Sequence, residues 1–194
     1  MAEDQTISDT TGVTLASAGL ADAVSAGASA LEEEVVGWFD ELQAKLMRYL
    51  LTAGLSVPDA EEIVQETFLA LFKHLTRGKP RHNIPAWIFR VAHNLALRRR
   101  SLVQRDRQNL LESPSYEFVA GGDPNPEDQL ALKQRLARLA GVWQALPEQA
   151  RLCLALRAEG LTYREIAQVL GMSLGAVSIS LARSLARFAC AQER

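Results

Sequence analysis

Apolar residues in this chain recur at intervals of three and four from Leu31 nearly to its end, and no segment alternates apolar with polar residues for long enough to make a strand. Such a chain buries one stripe of each helix against another, so the expected fold is all-α. Val35, Trp38, Phe39, Leu42, Leu46, Tyr49 and Leu50 form the first stripe. Ile63, Val64, Phe68, Leu71, Phe72 and Leu75 form the second, with Asp59 as the expected N-cap and Glu61 and Glu62 favoured near the positive end of the helix dipole. A third helix, expected from Ala86, carries Trp87, Ile88, Val91, Leu95 and Leu102. The segment SPSYEFVAGGDPNPED then breaks the period with two glycines and three prolines, as an interdomain linker does.

A second group of helices follows. One runs from near Pro126 through Leu136, Leu139 and Trp143; another follows Pro147 to about Glu159 and stops at Gly160. Thr162 can cap a short helix to Leu170, Gly171 can turn the chain, and Ser173 can cap the last helix to about Ala189. That helix is expected to bury Leu174, Val177, Leu181, Leu185 and Phe188. The organisation is therefore two small helical domains, 31–108 and 129–190, joined by a flexible linker, 109–128, and preceded by a disordered leader, 1–30, which lacks an apolar period.

Charge divides the chain unequally. Nine of the 23 acids precede Lys45, the first base, which leaves 21 basic against 14 acidic side chains in the rest. An acidic head on a basic body raises the expectation of a polyanionic partner. No window approaches the roughly 18 consecutive apolar residues of a membrane span, and the N-terminus has no basic secretory region, so the expected setting is the cytoplasm without a membrane. Cys153 and Cys190 read as packing residues, and the histidines at 74, 82 and 93 stand outside metal-ligand spacing. No metal, no cofactor and no enzyme active site is expected, because no nucleophile, acid–base pair or phosphate loop is evident.

Two stretches carry chemistry. In TYREIAQVLGMSLGAVSISL, small Ala167, turning Gly171 and apolar Ile166, Leu170, Val177 and Leu181 have the spacing of a helix-turn-helix. A plain helical hairpin has the same apolar spacing. Upstream, Arg90, Arg98, Arg99, Arg100, Arg105 and Arg107 face only Asp106. Trp87 and Phe89 offer flat faces there, and His93 and Asn94 offer hydrogen bonds to base edges. A basic helix end and buried aromatic rings would account for the same residues.

Taken together and in this order, the motifs resemble the extracytoplasmic-function sigma factors of bacterial RNA polymerase, which keep regions 2 and 4 only. DAEEIVQETFLALFKHL (Asp59 to Leu75) is similar to the family's core-binding helix, PAWIFRVAHNLAL (Pro85 to Leu97) to its promoter-melting helix, and LPEQARLCLALRAEGLTYREIAQVLGMSLGAV (Leu146 to Val177) to region 4. The resemblance implies that Asp59, Glu62, Gln65 and Glu66 meet the clamp helices of the polymerase's largest subunit. It implies that Trp87, Arg90, His93, Asn94, Arg98, Arg99 and Arg100 meet the −10 element, and that Ser173, Ser178, Ser180, Arg183 and Arg187 meet the −35 element. Core RNA polymerase and promoter DNA are the implied partners, and an anti-sigma factor is a further partner that the resemblance allows.

The sequence departs from the common pattern at two places. Arg98 stands where many relatives have an acid, and Ala176, Ser178 and Ser180 occupy a stretch where relatives often place cations. Because region 2 concentrates more arginines, it is expected to supply more of the electrostatic attraction to DNA. Two other functions remain open on the residues: a polymerase-independent helix-turn-helix regulator, and a sigma-like decoy without DNA readout.

Overall fold

The structure, a computed structural model, describes residues 11–107 and 126–192. These form seven helices: α1 (Thr11–Thr52), α2 (Val57–Thr76), α3 (Ile84–Arg107), α4 (Pro126–Gln144), α5 (Glu148–Ala158), α6 (Tyr163–Leu170) and α7 (Leu174–Gln192). No strand occurs among the described residues. The first helix begins well before the Leu31 start expected from the apolar stripe. Residues 11–30, expected to lack regular structure, are helical in their backbone, consistent with an alanine-rich composition free of proline. The rest of the expected leader and most of the expected linker lie outside the described residues.

The N-terminal unit packs α1, α2 and α3 together. Leu42, Leu46, Tyr49 and Leu50 of α1 meet Ile63, Val64, Phe68 and Leu71 of α2, while α3 contributes Ile84, Ile88, Phe89, Ala92 and Ala96. Tyr49 and Phe89 contact edge to face at 5.6 Å, and Phe39 and Phe68 do so at 5.0 Å. The stripe of α3 is thus shifted from the expected one: Phe89 is fully buried and Leu102 is exposed. The N-cap of α2 is Ser56 rather than Asp59. Its hydroxyl accepts from the Asp59 amide and donates to the Asp59 carboxylate, which places Asp59 in the first turn.

In the C-terminal unit, α5, α6 and α7 enclose Leu152, Cys153, Leu156, Ile166, Val169, Val177 and Leu181. The Thr162 hydroxyl accepts from the Glu165 amide and the Glu165 carboxylate accepts from the Thr162 amide, a reciprocal cap for α6. Gly171 adopts φ 64°, the left-handed turn that separates α6 from α7, and Ser173 accepts from the Ala176 amide to start α7. The expected buried face of α7 is corrected at two positions. Leu174 is 48% exposed and Leu185 is 56% exposed, whereas Ser184 is buried and donates its hydroxyl to the Ser180 carbonyl. Cys190 is likewise exposed rather than packed.

The two units lie against each other, α5 on α1 and α6 on α3, and their buried residues form one continuous cluster. Arg48 of α1 grips Glu159, just past α5, through two hydrogen bonds of 2.9 and 2.7 Å. At the other end of α5, Arg100 of α3 pairs with Glu148. Apolar spacing identifies which side chains are buried but not what buries them. The expectation of two units apart on a tether could not include this contact.

Candidate nucleic-acid interface

The exposed side of α2 carries Glu61, Glu62, Gln65, Glu66 and Leu69. Their spacing follows from the burial of Ile63, Val64, Thr67 and Phe68, which turns the intervening residues to solvent. Leu69, 54% exposed beside Glu66, was not among the expected contact residues, all of which are polar. Asp59 and Glu62 are not free acids: Arg99 of α3 reaches Asp59 at 3.2 Å and Glu62 at 2.5 Å. The hydrogen bond that Arg99 donates to Glu62 holds its guanidinium above its usual pKa, and the charges of Glu62, Asp59 and Glu66 add to the effect.

On α3 the seven expected DNA-facing residues separate into groups. Arg90, Asn94 and Arg98 are exposed at four-residue intervals, with Leu97 beside them, and so line one face. His93 points the other way. It is 8% exposed and shares a 2.7 Å hydrogen bond between its Nδ1 and the Tyr49 hydroxyl. Burial lowers the His93 pKa and the charge of Arg100 adds to this, so the ring is held neutral. Burial likewise pushes the Tyr49 phenol up. Trp87 packs on His74 at 4.6 Å and is half-buried. Arg99 is engaged by the α2 acids and Arg100 by Glu148, whose hydrogen bond also holds the Glu148 carboxyl below its usual range.

The helix-turn-helix presents a different surface. An open groove of about 630 Å³ runs between the starts of α6 and α7, lined by Thr162, Tyr163, Arg164, Leu174, Gly175 and Ser178. Tyr163 and Arg164 are exposed there and were not among the expected contacts. Their signal was available, since Thr162 and Glu165 at capping-box spacing fix the first turn of α6 and turn the two residues between them outward. Arg157 lies over the Tyr163 ring at 5.9 Å and donates to the Leu161 carbonyl. Burial opposes ionisation of Glu165, but hydrogen bonds from Thr162 and Asn83 outweigh it and keep the carboxyl below its usual pKa.

Of the five expected −35 contacts, Ser178, Arg183 and Arg187 are exposed on α7. Ser173 spends its hydroxyl oxygen on the Ala176 amide, and Ser180 is half-buried near Cys153. Arg164, Arg183 and Arg187 form no ion pair among the described residues. No group of three or more acidic, histidine or cysteine side chains arranged for a metal ion occurs there either.

Residues 38–106 match sigma-70 region 2, and residues 136–188 match sigma-70, region 4. The RNA polymerase sigma factor CnrH of Cupriavidus metallidurans is 33% identical over 141 residues, which cover 69% of this chain and 73% of that protein. The ferric citrate uptake sigma factor FecI of Escherichia coli is 30% identical over 154 residues, covering 77% and 81%. The ECF RNA polymerase sigma factor SigE of Mycolicibacterium smegmatis is 37% identical over 123 residues, 61% of this chain, and the match spans just under half of SigE, 46%. Two solved structures share the fold, each with a TM-score of 0.55. One is CnrH in complex with the cytosolic domain of CnrY, at 23% identity over 87% of this chain and 94% of that one. The other is the sigma factor RpoE of Bartonella quintana in complex with the anti-sigma factor NepR, at 18% identity over 81% and 97%. With a region 2 that exposes acids on α2 and a cationic stripe on α3, and a region 4 whose helix-turn-helix groove is open, the chain belongs to the extracytoplasmic-function sigma factors of the sigma-70 family.

Proposed function

We propose that this sigma factor directs transcription initiation by docking on core RNA polymerase through α2 and reading promoter DNA through α3 and α7, in the cytoplasm. The observation that carries the assignment is the side-by-side exposure of two unlike faces on the packed N-terminal unit. Glu62, Gln65 and Glu66 on α2 suit a partner surface bearing arginines, while Arg90, Asn94 and Arg98 on α3 suit a strand of nucleic acid. Leu69 adds an apolar contact at the edge of the acidic face. A regulator working without polymerase has no use for that face. The chain supplies recognition and placement, and the chemistry of RNA synthesis belongs to the polymerase.

The region 4 surface is weakly charged for a DNA reader. On the helix-turn-helix, Arg164, Arg183 and Arg187, which form no ion pair among the described residues, give a total near −3 at about −0.9 in salt slope per phosphate contact, where strong binders use roughly six to ten contacts. Tethered through region 2 to polymerase already near DNA, it works at an effective concentration of about millimolar, where a weak contact still sets position. We further infer an anti-sigma partner of the kind present in the RpoE complex, since that chain shares this fold.

The test is reconstitution with core polymerase and mapping of transcript starts. Glu62→Lys, Gln65→Ala and Glu66→Lys combined should abolish co-purification with polymerase while preserving the helical circular dichroism, because all three side chains are exposed. Normal co-purification of the triple variant would remove the docking assignment.

A further inference from the structure

We propose that α7 reads the 5-methyl groups of thymine in the upstream promoter element, with Ile179 as the specificity-determining side chain and Ala182 beside it. The inference rests on the assignment of α7 as the DNA-reading helix. In a helix-turn-helix, side chains from the first turns of the second helix reach base edges in the major groove. In this chain the exposed residues there are Leu174, Gly175, Ser178, Ile179, Ala182 and Arg183.

The chemistry of that set is restrictive. Guanine is read by a bidentate arginine or lysine, adenine by asparagine or glutamine, and cytosine by a carboxylate; thymine alone presents an apolar group in the groove. Between Leu174 and Arg187 there is no amide and no acid, and Arg183 is the one long donor among the first three turns. Ile179 is 54% exposed, a branched aliphatic side chain with no core to fill. The apolar character is a property of the whole helix: Leu174–Ala191 has a mean hydropathy of 1.3, yet only 17% of it is buried. Apolar surface is turned outward on the side of α7 that a duplex would meet.

Charge selects DNA over an apolar protein partner as the occupant. Arg164 at the start of α6 and Arg183 and Arg187 on α7 are exposed and without ion pairs among the described residues, which suits phosphates on either side of a groove. Ile179, Ala182 and Arg183 share a face at spacings of three and four. A rise of about 1.5 Å per residue puts Ile179 and Arg183 about 6 Å apart along the axis, or roughly two base-pair steps of about 3.4 Å. The phosphate met by Arg183 therefore lies within about two base pairs of the thymine that Ile179 reads.

The experiment uses the full chain assembled with core RNA polymerase. Duplexes randomised across the upstream element are selected for binding, and the preferred thymine is then replaced by deoxyuridine, which removes the methyl group and nothing else. For the native chain, deoxyuridine should weaken binding about fourfold per methyl contacted, the equivalent of burying one such group. Ile179→Ala, at an exposed position that the fold does not depend on, should bind thymine and deoxyuridine duplexes alike. Equal binding of the two duplexes by the native chain overturns the inference, as does discrimination retained in Ile179→Ala. Binding of the free chain to phosphatidylglycerol vesicles that Ile179→Ala abolishes, with no deoxyuridine effect, would assign this face to a membrane surface instead. A chain that fails to join polymerase at all removes the function itself; one that initiates transcription normally without discriminating the methyl removes the thymine reading alone.

Discussion

Region 2 holds more arginine than region 4, yet among the described side chains it is the region 4 helix-turn-helix that has the freer charge. On α3, Arg99 is held by Asp59 and Glu62 and Arg100 by Glu148, and among the described side chains Arg90 and Arg98 face outward with Asn94. At the helix-turn-helix, Arg164, Arg183 and Arg187 have no acidic partner among the described residues. Counting cations along a sequence thus ranks the two surfaces in one order, and counting uncommitted cations among the described side chains ranks them in the other. A guanidinium already bonded to a carboxylate must give up that bond before it can neutralise a phosphate, so its contribution to DNA affinity is the difference between two ion pairs.

The largest expected effect tests region 4. Replacing Arg164, Arg183 and Arg187 by Ala in the polymerase complex should lower closed-complex affinity by about 3 kcal/mol, at about 1 kcal/mol per contact, and flatten the salt dependence by about three. Filter binding over a range of salt concentrations measures both quantities. An unchanged slope would mean that these arginines do not meet phosphate and that region 2 dominates after all.

A smaller difference separates neighbours on α3. Arg98→Ala should weaken promoter binding by about 1 kcal/mol, while Arg99→Ala should change it by only a few tenths. Equal losses in a side-by-side titration of the two variants would show that polymerase draws Asp59 and Glu62 away and releases Arg99 onto DNA. That outcome would restore the sequence-based ranking for the assembled complex.

The smallest effect concerns the interior on which α3 rests. His93 has a folded pKa below its usual 6.5 because it is buried and near Arg100. As the pH falls below about 6.5 the unfolded chain takes up a proton that the folded chain refuses, so His93 contributes stability above that pH and loses it as the pH drops through the folded value. Chemical denaturation between pH 7.5 and 5.5, about the range in which histidine titrates, should show a decline that His93→Gln flattens. A steeper decline in the variant would place the titration elsewhere.

Much of this was legible in the chain itself. Helical periodicity gave the stripes of α1 and α2, and Thr162, Gly171 and Ser173 punctuated α6 and α7 where their cap chemistry required. What could not be read were relations between distant residues. Nothing local to Arg99 or Arg100 reveals that Glu62 and Glu148 are 37 and 48 positions away in sequence yet adjacent in space. His93 and Asn94 are consecutive and both polar, but only packing against Tyr49 decides that the first turns inward. On α7, Leu185 keeps apolar spacing with Leu181 although the buried line runs through Ser184, because a small side chain fits where the helix approaches its neighbours.

The two ion pairs across the units sit at opposite ends of α5, an 11-residue rod about 16 Å long. Such a placement behaves like two buttons on one flap. With either fastened, the loose end stays within reach of its partner and closes again at a high local concentration, so opening one end is reversible and quiet. Separation requires both to be undone together with the apolar contacts of α5 on α1 and α6 on α3. A partner that engages only Arg48 or only Arg100 would therefore leave region 4 held at the other end, whereas one that engages both would leave it held by the apolar contact alone.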